Sequence, residues 1–446
     1  MAGLDIRRLS LSDSLRIGVP LFAVVAFAFY VTSHFVKPAP PDHVLMSTGA
    51  PGGAYEVYAK RYRAFFARNG VELELRPSEG AMQNLGRLTS GSVDAAFVQG
   101  GIAPPGADED AASPVVSLGA LYLEPVWVFA RSASRVPERL RDLAGQRIAI
   151  GREGSGTQPL ARMLLETTGV DARTATLLPL STEDAAAALA QRTVDAAIMI
   201  LDASAPLVGS VVRQPGIEVV NLAHAQAIAR QHAFMTPITI ARGLIDVRDD
   251  LPDHDVATVA VTANLLVRAD LHPALAYLFL DAASEIHGGQ TLLSDAGSFP
   301  NARRQEFPLS DEAERFYRSG KPFLQRYLPF WVANLVDRTL VYLITLIAIL
   351  LPALRFLPNL IAYRPKSRIA ALYAKLRTLE REIASARDIT RIPEYVERLD
   401  AIEAEVTDAK VPGWYAQDIY VLRAAIDLVR ERLGRPGAKA NPRCRS

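Results

Sequence analysis

Two glycine-rich turns in this sequence have residue types that suit the binding of a small anion. The first turn, Ser47–Tyr55, joins a short apolar strand to an amphipathic helix, and the second is Gly151–Thr157. A helix that starts in such a turn has backbone N–H groups without an intrahelical acceptor, and its dipole attracts negative charge. Gly52 and Gly53 let a ligand approach the first turn closely, because neither has a Cβ. A plain strand-to-helix connection is the alternative interpretation of this turn.

The second turn does not match a standard nucleotide-binding loop. No lysine follows its last glycine, and its glycines lack the G-x-G-x-x-G spacing, which excludes the P-loop and the dinucleotide fingerprint. The hydroxyl groups of Ser155 and Thr157 can either cap the following helix or donate hydrogen bonds to an anion. Arg152 can add a charge-assisted hydrogen bond, or it can be a solvated surface arginine.

Both turns belong to β-α-β-α-β units that repeat along the chain. The first unit covers residues 44–99 and the second covers residues 147–202, and each ends in a strand that opens with Asp-Ala-Ala. This pattern predicts parallel sheets with right-handed crossovers, in which ligands bind at the carboxyl ends of the strands. Two such units predict two α/β lobes whose turns face a common cleft. The residues at these strand ends are Ser47–Tyr55, Ser78–Ala81, Gln99–Gly101 and Leu201–Ser204.

The segments outside these units are less regular. Val115–Arg131 is predicted as two strands, with residues 121–125 between them. Further strands are expected at Pro237–Gly243 and Val256–Ala263, and a helix is expected over Leu265–Asp281.

The composition argues against several classes of function. The chain has 446 residues and a net charge of +1, so no overall field draws it to nucleic acid. Its single cysteine, Cys444, offers neither a disulfide framework nor a cysteine metal site, and the histidines share no ligand spacing. We therefore expect no metal and no other cofactor. No serine has a convincing histidine partner and no G-x-S-x-G elbow is present, so an enzyme is not expected.

Two apolar segments predict transmembrane helices. Residues 17–36 follow three arginines and are long enough to cross a bilayer, with a cleaved signal peptide as the alternative. Residues 336–358 have no polar face, and a buried helix of a soluble domain is their alternative. Basic residues precede the first segment and follow the second. This predicts an inner-membrane protein with both termini in the cytoplasm and the middle domain in the periplasm.

These observations give the following expected domain order. It comprises a cytoplasmic N-terminus (1–16), a signal-anchor helix (17–36), a proline-rich linker (37–43), a two-lobe domain (44–330), a second transmembrane helix (336–358) and a cytoplasmic helical tail (359–446). We expect lobe 1 at about 44–130 and 235–300, and lobe 2 at about 131–234. The apolar spacing of the tail predicts two or three helices, and its basic end, Arg435 to Arg445, can lie on anionic lipid.

Five segments, in order, resemble the TAXI family of TRAP-transporter solute receptors over about residues 44–300. They are LMSTGAPGGAYEVYAKRYRAFF, RPSEGAMQNLGRLTSGSVDAAFVQGG, LGALYLEPVWVFAR, LRDLAGQRIAIGREGSGT and VDAAIMI. The resemblance implies a periplasmic-binding-protein-like α/β fold, with two lobes joined by a hinge. Here, that fold is flanked by two transmembrane helices and a C-terminal helical tail. It also implies the capture of a small organic anion, such as an amino acid or a carboxylate, and its delivery to a TRAP-type permease.

The resemblance carries ligand-binding roles to particular positions. These are Gly49, Gly52, Gly53, Ala54, Tyr55, Ser78, Gly80, Ala81, Gln99, Ser155, Gly156 and Thr157. Two further ligand-binding candidates come from the residues themselves: Arg152 in the second turn, and Asp202 at the end of a strand facing the cleft. Glu124 and Pro125 match the strand-crossing motif of the family and are interpreted as partly structural. The two membrane anchors and the tail depart from the family pattern. They support an alternative, a membrane-tethered ligand sensor that signals through the tail to a cytoplasmic protein.

Overall fold

The computed structural model describes residues 11–35, 38–104, 106–107, 113–131, 137–385, 391–409 and 415–434. Outside these ranges lie two of the three arginines before the first apolar segment (Arg7 and Arg8), Lys37 of the proline-rich linker, Cys444 and the basic end 435–445. The chain divides into two compact units. One is Pro38–Asp337, and the other combines Met1–Lys37 with Arg338–Ser446.

Ten strands form the sheet of the unit Pro38–Asp337. They are β1 (His43–Ser47), β2 (Glu72–Arg76), β3 (Ala95–Gln99), β4 (Val115–Arg131), β5 (Arg147–Ala149), β6 (Thr176–Leu178), β7 (Ala196–Ile200), β8 (Ile217–Val219), β9 (Thr236–Ile240) and β10 (Val256–Arg268). The strand order is β2-β1-β3-β10-β4-β7-β5-β6, with β8 beside β4 and β9 beside β10.

Thirteen α-helices occur among the described residues. They are α1 (Leu11–Phe35), α2 (Ala54–Arg68), α3 (Ala81–Thr89), α4 (Thr157–Thr167), α5 (Thr182–Ala190), α6 (Pro206–Val212), α7 (Ala225–Gln231), α8 (Pro273–His287), α9 (Asp311–Ser319), α10 (Phe323–Tyr327), α11 (Phe330–Ser385), α12 (Ile392–Asp408) and α13 (Ala416–Gly434). A short 3-10 helix covers Leu140–Leu143. The predicted mixed α/β class is confirmed.

The two repeated units form the two parallel parts of this sheet. Strand β1 pairs in parallel with β2 and β3, and β5 pairs in parallel with β6 and β7. We call the part built on β1–β3 lobe 1 and the part built on β5–β7 lobe 2. The helices of each unit follow their strands as predicted, because apolar residues recur at helical spacing after each glycine-rich turn. The turns of both lobes therefore lie at carboxyl ends of parallel strands.

Two long antiparallel strands, β4 and β10, join the lobes. Strand β10 pairs with β3 through Ala263–Val267, and β4 pairs with β7 through Val126–Ala130. The prediction of two strands over 115–131 is wrong, since β4 is one strand of 17 residues. Glu124 and Pro125, interpreted as the break, pair with Val261 and Ala260 inside it.

Strand β10 also corrects the predicted helix over Leu265–Asp281. Residues up to Arg268 continue the strand, and the helix starts only at Pro273. Proline is favoured in the first turn of a helix, and the His272 side chain accepts a hydrogen bond from Ala274 N at this end. Val256, Val259 and Val261 of β10 pack in the core of lobe 2, whereas the strand's later residues pack in lobe 1. The chain thus crosses back to lobe 1 within β10 rather than near residue 235.

One stretch of the described residues, Phe330–Ile349 in α11, is apolar and long enough to cross a membrane by length and composition. The apolar stretch Phe22–Ser33 in α1 is shorter. In the unit that holds both α1 and the later part of α11, Phe29 and Tyr342 stack with ring centroids 5.4 Å apart. Helix α11 is continuous over 56 residues, so the second apolar segment and the first tail helix are one element.

The tail forms a small helical unit of its own. Apolar residues of α11, α12 and α13 share one buried cluster that includes Leu376, Leu399 and Ile426. Ion pairs such as Arg398–Glu382 and Lys375–Glu405 connect the exposed faces of neighbouring helices. The predicted group of two or three tail helices corresponds to this arrangement of the described residues.

Candidate functional site

The turn before α3 and the turn before α4 contact each other across the gap between the lobes. A Cβ added at Gly80 would lie 3.0 Å from Ser155 Cα, and Gln83 N donates to Gly154 O at 3.4 Å. The guanidinium of Arg152 forms a salt bridge with Glu79, with Nη1 and Oε2 separated by 2.6 Å. Two of the turns predicted at strand ends in opposite lobes, Ser78–Ala81 and Gly151–Thr157, are therefore neighbours.

A second contact between the lobes lies deeper, at the end of β3. A Cβ added at Gly156 would overlap Gln99 Oε1 and would come within 3.1 Å of Ala81 Cβ. Gly101 packs against Leu160 and Phe234 of lobe 2, where any added side chain would clash. Gly101 also has a φ of +90°, a conformation that favours glycine. The lobes of this structure are closed upon each other along this line.

Several backbone amides that were expected to be free to bind an anion instead donate hydrogen bonds within their own turns. Gly52 N donates to Glu56 Oε2 at 2.8 Å, and Gly53 N donates to Ala50 O at 3.0 Å. Gly80 N donates to the Ser78 hydroxyl, and Ser155 N donates to Arg152 O. The amides left for a ligand are those in the first turns of α2, α3 and α4, at Ala54, Tyr55, Ala81 and Thr157, because helix geometry gives them no intrahelical acceptor.

The hydroxyl groups of Ser78 and Ser155 also serve their own loops. Ser155 Oγ donates to Arg152 O at 2.6 Å and accepts from Gln158 N, which is a capping role. Ser78 Oγ donates to Asn84 Oδ1 at 2.6 Å. Gly49 lies against the Tyr55 side chain. A Cβ added at Gly49 would be 3.1 Å from Tyr55 Cβ.

Asn84, which sequence analysis did not select, fixes the first two turns of lobe 1. It is fully buried on α3, and its Oδ1 accepts hydrogen bonds from the hydroxyls of Ser47 and Ser78 at 2.6 Å each. Its Nδ2 donates to the carbonyls of Thr48 and Phe97. One side chain thus holds the ends of β1 and β3 and the turn before α3 in a fixed relation.

Beneath the turns, a cluster of buried polar groups surrounds Glu124 on β4. The Glu124 side chain is 4% exposed, and its Oε2 accepts a hydrogen bond from Tyr55 Oη at 3.3 Å. A hydrogen bond from Gln99 and the field of the Asp202 carboxylate also act on it. Four elements therefore converge on this carboxyl group: α2, β3, β4 and the segment after β7.

Burial dominates the electrostatics of this cluster. It raises the pKa of Glu124 to about 8, and the nearby Asp202 carboxylate adds to the rise, whereas hydrogen bonds from Tyr55 and Gln99 oppose it. Burial likewise raises the pKa of Tyr58 to about 12 and lowers the pKa of His287 to about 3. At neutral pH, Glu124 is therefore mostly protonated and His287 is neutral.

Aromatic side chains form the wall beside Glu124. Tyr122 stacks on the His287 ring with centroids 5.5 Å apart, and Tyr58 lies 4.9 Å from Tyr122 and 4.6 Å from His287. His287 Nε2 is buried and has no hydrogen-bond partner among the residues that the structure describes. The sequence signal for this wall is the alternation of Tyr122 and Glu124 along one strand; Glu124 was interpreted as partly structural, and Tyr122 was not selected.

Asp202, predicted on weaker grounds, belongs to the same cluster. It follows β7, and its field reaches Glu124, Tyr58 and Tyr122. Its Oδ1 accepts hydrogen bonds from the amide and the hydroxyl of Ser204 at 2.7 and 2.6 Å. The second oxygen, Oδ2, makes no hydrogen bond to the described residues.

Two cavities lie near the lobes. One of about 550 Å³ is lined by the two contacting turns and the start of α4, including Glu79, Gly154 and Ser155. A larger one of about 720 Å³ lies between β9 and residues 290–304, with Leu123 and Thr262 of the joining strands in its wall. The larger cavity contains none of the residues predicted to bind the ligand.

Comparison with known proteins gives a family and several solved structures with partial likeness to this chain. The aliphatic sulphonate binding protein SsuA from Escherichia coli is 18% identical, with a TM-score of 0.36 over 70% of this chain and 78% of that chain. The substrate-binding protein AbpA from Streptococcus pneumoniae, bound to L-arginine, is 15% identical, with a TM-score of 0.36 over 55% of this chain and 89% of that chain. A histidine kinase sensor domain with similarity to periplasmic binding proteins is 16% identical, with a TM-score of 0.36 over 55% and 90%.

No protein of curated function matches the sequence. The sequence model of the NMT1-like family matches residues 46–319, which include both lobes and both joining strands. Because this match covers more than half of the chain, the protein belongs to the NMT1-like family.

Proposed function

We propose that the domain 44–330 captures a small organic solute by closing its two lobes around it. The observation that carries this proposal is the contact of the turns before α3 and α4, through Gly80, Ser155 and the Arg152–Glu79 salt bridge. Two lobes joined by two long strands can open and close about those strands. The sulphonate- and amino-acid-binding proteins with similar folds are consistent with such a role.

The solute of this proposal carries a carboxylate. Amides in the first turns of α2, α3 and α4 have no intrahelical acceptor, and the helix dipoles favour a negative group at this place. The likeness of the sequence to TAXI receptors adds the expectation that the captured solute passes to a TRAP-type permease. Binding, rather than catalysis, is the proposed activity of the cleft.

The proposed setting is the periplasmic face of the inner membrane. It rests on the apolar stretch Phe330–Ile349 and on the basic residues expected at its cytoplasmic end. The N-terminal anchor is part of the same proposal. A reporter fused after residue 434 tests it, because the tail is expected to be accessible only from the cytoplasm.

The capture proposal is tested with a thermal-shift screen of the full chain in detergent against amino acids and small carboxylic acids. A bound solute stabilises the folded state by mass action, so one or more compounds are expected to raise the unfolding temperature. Gly156→Ala, which places a methyl group on Gln99 Oε1, is expected to lose that rise. A screen in which no compound changes the unfolding temperature contradicts the proposal.

A second candidate is a ligand sensor, and the continuity of α11 favours it. This helix begins at Phe330, which is buried in the lobe 1 core, and Ala333 on the next turn is also buried. It ends at Ser385, after Leu372, Leu376 and Leu379 have entered the tail cluster. A partner protein in the cytoplasm would receive the signal. Solute-dependent changes in amide exchange in α12 and α13 support this candidate, and their absence excludes it.

A further inference from the structure

Residues 323–336, which lead from the domain into α11, expose a cluster of apolar side chains. Among the described residues of the unit Pro38–Asp337, ten large hydrophobic side chains are exposed, and six of them belong to this one segment. The six are Phe323, Tyr327, Trp331, Val332, Leu335 and Val336. Exposed apolar residues are usually scattered singly, and a clustered set marks a contact with another protein or with a membrane.

The first two turns of α11 are apolar on both sides. Their inward side includes Phe330, which packs in the lobe 1 core, and Ala333, which is fully buried. Their outward side carries four exposed apolar residues, which are Trp331, Val332, Leu335 and Val336. A helix on the surface of a water-soluble domain usually places charged or polar residues on its outward face. The outward face here is therefore suited to an apolar environment and not to water.

Helix α10, just before α11 in the chain, adds two aromatic rings and a positive charge. Phe323 and Tyr327 lie one turn apart, are 72% and 73% exposed, and have ring centroids 5.3 Å apart. Arg326 donates to the backbone carbonyls of Ser319 and Lys321, and it forms no ion pair with a carboxylate among the described residues. Its positive charge is therefore available to an anion. Aromatic rings next to a basic side chain are typical of the level at which lipid headgroups meet acyl chains.

Three contacts tie this segment to lobe 1. The Trp331 ring covers Gly70 at the end of α2, where an added Cβ would be 2.7 Å from Nε1. Just before the segment, Lys321 Nζ forms a salt bridge of 3.0 Å with Asp281 on α8, whose side chain is 16% exposed. Phe330, in the lobe 1 core, is the third contact. Whatever binds residues 323–336 therefore also positions lobe 1.

The chain itself indicates what covers this patch. Phe330 also opens the apolar stretch Phe330–Ile349, which is long enough to cross a membrane. Because of the small rise per residue of an α-helix, Leu335 lies only about 8 Å along α11 from Phe330 in the lobe 1 core. A bilayer crossed by this stretch therefore meets the domain at residues 323–336. Lipid is the occupant that this covalent connection brings to the patch.

We propose that residues 323–336 lie at the headgroup level of the bilayer and hold lobe 1 on the membrane surface. The rings of Phe323 and Tyr327 enter the boundary of the acyl chains, and Arg326 pairs with lipid phosphate. The outward face of the first turns of α11 contacts lipid directly. This inference rests on the proposed membrane setting, and it adds the surface by which the domain meets lipid. The domain then stays at the bilayer surface and does not swing above it on a flexible tether.

The test measures the depth of spin labels on the full chain in vesicles of phosphatidylethanolamine and phosphatidylglycerol, with no other protein present. Single labels are placed at Phe323→Cys or Tyr327→Cys in a Cys444→Ser background, so each label leaves the other ring in place. Oxygen collides mostly with labels in the bilayer, and a nickel chelate on both sides of the membrane collides with labels in water. The ratio of the two collision rates therefore reports depth. We expect this ratio to be at least about fivefold higher at both positions than at an exposed position elsewhere in the domain.

Two further single labels are the controls. Val247→Cys replaces a side chain that is 88% exposed in the loop after β9, and its label should report water. Ile344→Cys lies in the apolar stretch, and its label should report lipid. All four labelled side chains are exposed, so the labels leave the core of the domain undisturbed.

Three outcomes separate this inference from the proposals on which it rests. Lipid-like ratios at Phe323→Cys, Tyr327→Cys and Ile344→Cys support both the surface and the membrane setting. Water-like ratios at Phe323→Cys and Tyr327→Cys, with a lipid-like ratio at Ile344→Cys, overturn the inference, leave the membrane span intact and assign the patch to a protein partner. Water-like ratios at all four positions overturn the inference together with the membrane setting. The thermal-shift screen tests solute capture separately from all three outcomes.

Discussion

The hydroxyl of Tyr55, in the first turn of α2, donates a hydrogen bond to the buried carboxyl group of Glu124 on β4 across 3.3 Å. This bond links the turn that the sequence singled out to a strand that joins the two lobes. Burial and the nearby Asp202 raise the pKa of Glu124 to about 8. A carboxyl group that is mostly protonated at neutral pH therefore lies on a strand that joins the two lobes.

The stability of the domain should fall as the pH rises from 6.5 to 8. Glu124 has a higher pKa in the folded state than its ordinary value near 4.5, so the folded state binds more protons in this window. The contribution is at most about 1.4 kcal/mol per pH unit. Below pH 6.5, the lowered pKa of His287 acts in the opposite direction, because the unfolded state then binds the extra proton. Chemical unfolding of the full chain at stepped pH values measures this slope.

Glu124→Gln should flatten the dependence between pH 6.5 and 8, and Glu72→Gln should leave it unchanged. A slope that persists in the Glu124→Gln variant would assign the effect to another group.

Gly156→Ala should destabilise the closed arrangement of the lobes. The added methyl group overlaps Gln99 Oε1 and leaves the side chain of Gln99 no room in its present position. Overpacking of this kind costs about 1–3 kcal/mol, which should lower the thermal unfolding midpoint. Gly86→Ala on α3 is the control, because a Cβ there meets open space and alanine is favoured in a helix. A midpoint equal in the two variants would show that Gly156 is not tightly packed.

Exchange of the charges at Arg152 and Glu79 should show whether the contact between the turns contributes to solute affinity. Arg152→Glu alone places two acidic groups side by side, whereas Arg152→Glu combined with Glu79→Arg restores the pair. Both side chains are partly exposed, so the coupling is expected to be below about 1 kcal/mol. A double-mutant cycle on solute affinity measures it, and strict additivity of the two single changes would argue against closure through this pair.

Asn84→Ala should destabilise lobe 1 by about 3 kcal/mol. The change leaves the hydroxyls of Ser47 and Ser78 and two backbone carbonyls without their shared partner in a buried place. Asn69→Ala removes a single hydrogen bond at the end of α2 and should cost less than about 1 kcal/mol. Denaturant unfolding of both variants measures the two costs. A larger loss for Asn84→Ala than for Asn69→Ala shows that Asn84 holds a hydrogen-bond network together.

Local patterns predicted the β-α-β units and the turns between them, because helical periodicity and glycine positions are visible within a few residues. They did not predict the environment of Glu124, since four elements that are distant in sequence create it. Glu124 and Pro125 suggested a break in a strand that the pairing with β10 keeps whole. The role of Asn84 was equally hidden, because its four partners come from β1, β3 and two separate turns.

The continuity of α11 also escaped sequence analysis. Pro352, Pro358 and Pro365 indicate helix ends in a local reading, since proline removes a backbone hydrogen bond. The structure carries the helix through all three from Phe330 to Ser385.

The central claim is that the two lobes close around a solute, and a measurement of the distance between the lobes tests it most directly. With Cys444 replaced by serine, cysteines at Thr89 on α3 and Glu166 on α4 carry spin labels on exposed positions of lobe 1 and lobe 2. Pulsed electron resonance of the full chain is recorded without solute and with an equimolar mixture of amino acids. Solute capture by lobe closure predicts that the mixture shifts the distance distribution to one shorter, narrower peak. A distribution that the mixture leaves unchanged, at concentrations where calorimetry detects binding, would contradict the account.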